Sequence, residues 1–363
     1  PSNLVDSTSF YRCMGPLHAL RRQRPSLNTT VFDNIHWASL SGIDAVMFQR
    51  PTNDNQLKIA RMAAQHGLPI WVEYDDNFFA LPRDNPHHDS FMNVEVHRVI
   101  VQICSVADVV TVTTEALAAV FRQFCPPDRV RVVPNAMMTN IVGPVRSTVP
   151  ITNPIVMWRG TNTHIRDVEM FTPEIIAAAE KHPSWRWMFQ GFAPYRALEA
   201  IGKDRASSGK MQDQLTYFAT LAAVNPSVFI VPLADHAFNR CKSNIAALEA
   251  FYAGAVPVVP DWLEWRIPGA LTYTDNASFS VALDHALTMT EGERADRWSK
   301  GAKFVRENLS IDVVNSLRAN IVDHLEKLSW NEAARSEKRA LVAPQLVLAP
   351  IKSADPAAEP VSA

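Results

Sequence analysis

The amino-acid sequence predicts an α/β fold made of two parallel-sheet domains that face each other across a cleft. Three observations carry that expectation. The chain has 363 residues, and a single hydrophobic core seldom grows much past ~250 residues. Two successive series of short apolar runs, each run ending in polar residues and followed by a helix-length amphipathic segment, give the pattern of parallel strands covered on both faces. Between the series lies "GPVRSTVPITNP" (143–154), which has turn and proline chemistry but no apolar periodicity. A hinge belongs there, dividing a first domain (1–148) from a second (149–337).

In the first series the strands are "DAVMFQRP" (44–51), "LPIWVEYDD" (68–76), "ADVVTVTTEAL" (107–117) and "RVRVVPNAM" (129–137). The second series comprises "PIVMWRG" (154–160), "SWRWMFQG" (184–191), "VFIVPLAD" (228–235), "AVPVVPD" (255–261) and "ALTYTD" (270–275), with helical patterns such as 167–181 and 212–223 between them. One sheet of nine strands would exceed the usual width, so two sheets are expected. After residue 292 the pattern is helical. From 338 to 363 the composition is Ala, Pro and Val without periodicity, which reads as a loosely held tail.

Composition narrows the function classes. A hydrophobic content of 47% with 20% charged residues is that of an ordinary globular protein, so disorder does not dominate. The formal net charge of −2 gives no global attraction to nucleic acid or an anionic membrane, so any polyanion site must be local. Cys13, Cys104, Cys125 and Cys241 form no metal-like spacing and read as reduced thiols. No run approaches ~18 apolar residues and no export pattern opens the chain, so a cytoplasmic protein without a membrane span, monomeric or homodimeric, is expected.

Ligands of open parallel sheets sit beyond the carboxyl ends of the strands. Those ends carry Arg50, then Asp75 and Asp76, then Asn135 in the first half. In the second half they carry Arg159, Gly160, Thr161 and His164, then Gln190 and Gly191. Within "FNRCKSNIAALEAFYAGAVPVVP" (238–260), Ser243 or Asn244 caps a helix whose apolar stripe is Ile245, Leu248 and Tyr252, and Gly254 ends it. A helix start presents free amides to phosphate. Lys242 stands beside it, and Arg159 offers a second fork of donors to the same anion. Glu249 lies about six residues into the helix, ~9 Å along its axis, where a carboxylate accepts from ribose hydroxyls. Taken singly, these residues also have plainer readings: Lys242 and Glu249 as a solvated helix face, Asp75 and Asp76 as caps, Arg159 as a surface ion pair, His164 and Asp167 as a capping pair. Trp158, Trp185 and Trp187 read as core, and His87 and His88 lie in a proline-bounded loop.

The order "VFIVPLAD…FNRCKSNIAALEAFYAGAVPVV" resembles the nucleotide-sugar-binding half of retaining GT-B glycosyltransferases of the large family numbered four. "WVEYDDNFFALP", "ADVVTVTTEAL", "VRVVPNAM" and "WRGTNTHIRDVEMF" are similar to further steps of that family in the same order, and together the segments cover most of residues 40–262. The resemblance implies two Rossmann-like domains and transfer of a sugar from a UDP- or GDP-sugar to an acceptor hydroxyl, with retention and without a metal or other cofactor. It implies that Lys242 and Arg159 hold the donor diphosphate, assisted by Asn239, Ser243 and Asn244, with Gly160, Thr161 and His164 beside them and Glu249 at the ribose. Asp76, with Asp75 behind it, is expected nearest the acceptor hydroxyl. Two departures stand out. Many members have a glutamate eight positions before the helical one, where this chain has Cys241, and the glycine-rich N-terminal loop is reduced to "SFYRCMGPL" (9–17), where Gly15 with Tyr11 and Arg12 is the nearest substitute.

The acceptor is not legible in the sequence. A carbohydrate, a lipid-linked glycan, a protein side chain and a hydroxymethylated pyrimidine in DNA all fit, the last with some support from Arg21, Arg22 and Arg24 and from Arg12, Arg50 and Arg61. A non-catalytic nucleotide-sugar or glycan-binding protein of the same fold is the rival from another class, made thinkable by Cys241. A dehydrogenase is disfavoured because no GxGxxG follows a predicted strand.

Overall fold

A computed structural model of the chain describes residues 7–32, 40–145 and 152–341. Its strands form two sheets. In the first, β1 (Val46–Gln49), β2 (Ile70–Tyr74), β3 (Val109–Val112) and β4 (Val130–Val132) lie side by side in chain order, all parallel. In the second, β5 (Ile155–Gly160), β6 (Arg186–Gly191), β7 (Ala206–Lys210), β8 (Val228–Ile230), β9 (Val256–Pro260) and β10 (Leu271–Tyr273) take the order β10-β9-β8-β5-β6-β7, also all parallel. Every residue of β2, β3, β8 and β9 is buried. That is why these strands read as continuous apolar runs in the sequence.

Among the described residues, nine of the ten strands fall on predicted runs, and the tenth corrects the prediction. β7 is "ASSGK", an edge strand exposed at most of its positions, held by backbone pairing to β6. An edge strand needs no apolar face, so periodicity gives no signal for it. The 143–154 boundary falls largely on 146–151, outside the described residues.

The two cores are not confined to the two halves of the sequence. Phe10, Tyr11 and Ala19, from the helices Ser7–Arg12 and Met14–Gln23, pack into the core of the second sheet, whereas Phe238 and Cys241 join the core of the first. At the other end, the helix Ile311–Ser329 packs on Met14–Gln23, and the helix Glu332–Leu341 packs on Asp54–Gln65 of the first domain. Lys338 is buried there against Asp108, and Arg335 donates to the carbonyl of His66 at 3.3 Å. Residues 338–341 therefore belong to an anchored helix rather than to a tail, and 342–363 lie outside the described residues.

Candidate active site

Between the sheets lies a cleft of about 650 Å³ lined from both domains. Its floor on the second-domain side is the helix Ile245–Ala253. Seven of its nine residues are buried, which is why its sequence is almost wholly apolar. Gly254 closes it at φ 101°, a conformation that favours glycine.

The start of this helix is unusual in its chemistry. Asn244 occupies the cap position, but its side chain makes no capping bond; Nδ2 instead donates to the carbonyl of Glu264. Ser243 Oγ accepts from Asn135 Nδ2 at 2.7 Å. The first helical amide with a backbone partner is that of Ala247, which donates to Asn244 O at 2.9 Å. Among the described residues, the N–H groups of Ser243 to Ala246 therefore have no protein acceptor, while the side chains of Ser243, Ile245 and Ala246 line the cleft. Unsatisfied amides at the positive end of a helix favour an anion.

Lys242 stands directly before them. Its Nζ lies 4.4 Å from the Phe238 ring centroid and 3.5 Å from Asp76 Oδ1, across the domain boundary. Asp76 Oδ2 also accepts from Arg50 Nη2 at 2.8 Å, and Arg50 Nε holds Asp75. Arg50 adopts a left-handed backbone at φ 47°, uncommon for a side chain of this size and a mark of a constrained site. Burial on its own would raise the Asp76 pKa, but Lys242 and Arg50 outweigh it and hold the carboxyl below the usual aspartate value. Asp76 is an anion at neutral pH.

Six residues further into the helix the picture departs from expectation. Glu249 is 1% exposed and not part of a solvated face. Its Oε1 accepts from Tyr11 at 2.7 Å, and its Oε2 accepts from Arg159 Nε at 2.8 Å and from Tyr217 at 3.0 Å. A buried carboxylate without such donors would cost several kcal/mol. Three of about four acceptor positions are occupied by protein. Burial and the Glu249 charge push the Tyr11 and Tyr217 hydroxyls well above the ordinary tyrosine value, so both remain donors.

At the end of β5 and just past it, Arg159, Gly160, Thr161 and His164 line the same cleft. His164 Nδ1 pairs with Asp167 Oδ2 at 2.9 Å, while Asp167 Oδ1 accepts from Ala234 N and from Asn239 Nδ2. Burial and the nearby Lys242 lower the His164 pKa, with Arg159 contributing in the same direction, so the ring is neutral at pH 7. Asn239 is fully buried and outside the cleft lining; it fixes Asp167, which orients His164. Gly15 is likewise buried in helix Met14–Gln23 and does not line the cleft, whereas its neighbours Tyr11 and Arg12 do. Arg12 is 1% exposed, holding Glu73 at 2.6 Å and Asn135 at 3.0 Å. Cys241 is buried at the domain seam, its thiol taking a bond from Asn77 and its carbonyl one from Thr114; burial pushes the thiol up to about 12.

The structure thus brings Asp75, Asp76, Arg159, Gly160, Thr161, His164, Lys242, Ser243 and Glu249 to one cleft. Asn244 supports it from the helix cap. Tyr217 and Gln214, also in the lining, were missed: within "QLTYFATLAAV" a tyrosine has the same signal as any core aromatic. Among the described residues no group of three or more His, Cys, Asp or Glu side chains is arranged to hold a metal ion.

Two parallel sheets with flanking helices, facing across a cleft beyond their strand ends, match solved structures over most of the chain. The chain has the GT-B fold. The α,α-trehalose-phosphate synthase of Burkholderia xenovorans superposes with a TM-score of 0.55 at 15% identity, covering 81% of this chain and 76% of its own. The E. coli trehalose-6-phosphate enzyme bound with UDP-2-fluoro glucose gives 0.53 at 14% identity, covering 86% and 77%. The pneumococcal O-GlcNAc transferase GtfA, in complex with UDP and GlcNAc, gives 0.53 at 11% identity, covering 80% and 58%. At such identities the likeness to these GT-B proteins concerns architecture. No family model and no curated protein sequence matches the chain. No helix among the described residues is long and apolar enough to cross a membrane.

Proposed function

We propose that this chain is a glycosyltransferase that moves a sugar from a nucleotide-diphosphate sugar to an acceptor hydroxyl, with retention and without a metal ion. The observation that carries the reading is that Lys242, Arg159, Ser243, Ile245 and Ala246 line one interdomain cleft, at a helix start whose first amides have no protein acceptor among the described residues. A diphosphate leaving group develops negative charge in the transition state, and fixed N–H donors and cations stabilise it without reorganisation. GT-B neighbours crystallised with UDP or a UDP-sugar analogue support a uridine nucleotide as the first donor to test.

In this reading the diphosphate docks at the helix start and draws Lys242 from Asp76. Their contact is long for an ion pair, at 3.5 Å, and Asp76 keeps Arg50 when Lys242 leaves, so a dianion competes well for the ammonium. Asp76, released on one oxygen and still held by Arg50 on the other, then faces the acceptor hydroxyl as a hydrogen-bond acceptor. Glu249, already bonded to Tyr11, Tyr217 and Arg159, has room for one ribose hydroxyl rather than two. Its second task is to hold Arg159 in place. Retention rests on the resemblance of the 238–260 segment to retaining enzymes.

The test is release of nucleoside diphosphate from UDP- and GDP-sugars, with and without acceptor. Turnover of either, lost in Lys242→Ala, is the expected result. Binding without cleavage under all conditions would instead mark a nucleotide-sugar-binding protein, the reading that Cys241 in place of a glutamate keeps alive.

A further inference from the structure

The segments that follow β5 and β8 converge on one imidazole. His164 Nδ1 lies 2.9 Å from Asp167 Oδ2, and Asp167 Oδ1 accepts from Ala234 N at 3.0 Å and from Asn239 Nδ2 at 2.6 Å. Burial alone would raise the Asp167 carboxyl, but the imidazole and these two donors outweigh it and hold the group below the usual aspartate value. Asp167 is therefore a carboxylate, and Nδ1 carries the proton that it accepts. Asp167 is buried, whereas His164 keeps 21% of its side chain exposed and lines the cleft. Nε2, on the ring edge remote from that carboxylate, is thus the nitrogen on the cleft side. Among the described residues it has no hydrogen-bond partner. In the neutral ring it presents a lone pair to the space in which the diphosphate is proposed to sit. Lone pairs on Nε2 and on a phosphate oxygen repel each other, and one proton between them turns the contact into a charge-assisted hydrogen bond.

The charged groups around the ring explain why that proton is absent before the donor arrives and favoured afterwards. Burial and Lys242 oppose protonation, with Arg159 acting in the same direction, while Asp167 favours it. Asp76 acts on the ring from the first domain and also favours a positive charge there. His236 stands in the field of Asp167 and Lys242 but outside the cleft lining, its Nδ1 accepting from Asn239 N at 3.3 Å. A diphosphate diester brings two negative charges to Lys242 and Arg159. It offsets the two cations that oppose protonation and leaves Asp167 in place, so the balance at the imidazole shifts toward the charged form. Asp76 keeps its bond from Arg50 when Lys242 leaves and stays ionised, so the proton falls to His164.

We infer that the donor diphosphate binds together with one proton, taken up from solvent on His164 Nε2, and that the imidazolium donates to a diphosphate oxygen beside Lys242 and Arg159. The inference rests on the transferase reading above. Its test is isothermal titration of the full chain, without acceptor, with UDP-glucose and with GDP-glucose, whose diphosphate diesters do not titrate near neutrality. At about pH 7.5, in buffers of different ionisation enthalpy, the observed heat is expected to follow the buffer with an uptake of about half a proton or more per nucleotide sugar bound. Affinity is expected to rise about threefold or more from pH 8.5 to pH 7. His164→Gln, which keeps an N–H donor but cannot titrate, removes both effects, whereas His87→Gln, at the other histidine of the lining, keeps them. The buffer series on the wild-type chain needs no substitution, and His164→Asn replaces the Gln variant if that one does not fold. Binding with a buffer-independent heat, or an uptake that persists in the His164 variants, would overturn this inference and leave the transferase reading standing. Binding of neither nucleotide sugar would overturn both.

Discussion

Lys242 and Glu249 differ in exposure by their side chains' depth, and that decides what each substitution does. Lys242 is 17% exposed, and Asp76 keeps its bond from Arg50 when the ammonium is removed, so Lys242→Ala is expected to lower the melting temperature only slightly while lowering turnover on the order of 10²–10³-fold. Steady-state kinetics beside thermal unfolding check both halves. Tyr217→Phe removes one donor from a buried carboxylate and is expected to cost roughly 1–2 kcal/mol in a denaturant titration, with a weaker hold on Arg159. Lys242, Ser243 and Asn244 were legible in the sequence because a cation and cap residues adjoin an apolar helix whose end is marked by Gly254. Tyr11 and Tyr217 were not legible as partners of Glu249. Their hydroxyls reach it from 238 and 32 residues away, and no local pattern encodes such a meeting.

The turn of chain from β5 through His164 to the helix Ile165–Met170 carries a pH dependence that can be signed. His164 has a folded pKa below its usual 6.5, from burial and from Lys242, so as pH falls below about 6.5 the unfolded chain takes up a proton that the folded site resists. Stability is therefore expected to decline with acidification from pH 7 toward 5, and His164→Gln should flatten that slope in urea titrations at both pH values. A steeper slope in the variant would contradict the assignment. Between elements, Gly301 of the helix Glu291–Asn308 lies against the Phe251 ring of the helix Ile245–Ala253, with no room for a Cβ. Gly301→Ala is expected to destabilise by about 1–3 kcal/mol and to weaken nucleotide binding by displacing that helix. The strands with two buried faces were read from apolar runs, but β7 and the seating of Tyr11 against the second domain depend on contacts made only in the folded molecule.

At the scale of the whole molecule the chain closes on itself: its first described helices enter the core of the second sheet and its last described helix returns to the first domain. Lys338, buried against Asp108, fastens that return, and burial lowers its pKa despite the aspartate. Lys338→Ala is expected to cost on the order of 1–3 kcal/mol and to speed amide exchange in the helix Asp54–Gln65. Two sheets and a cleft followed from the repeated strand–helix pattern, whereas this exchange of segments between domains did not, because amphipathic helices do not name their partners. The account as a whole turns on a diphosphate bound where the chain enters the helix Ile245–Ala253. Calorimetric titration of the full chain with UDP and with GDP, repeated on Lys242→Ala and Arg159→Ala, tests this most directly. Saturable binding of at least one nucleotide, weakened tenfold or more by each substitution, is predicted; equal affinity in wild type and both variants would contradict it.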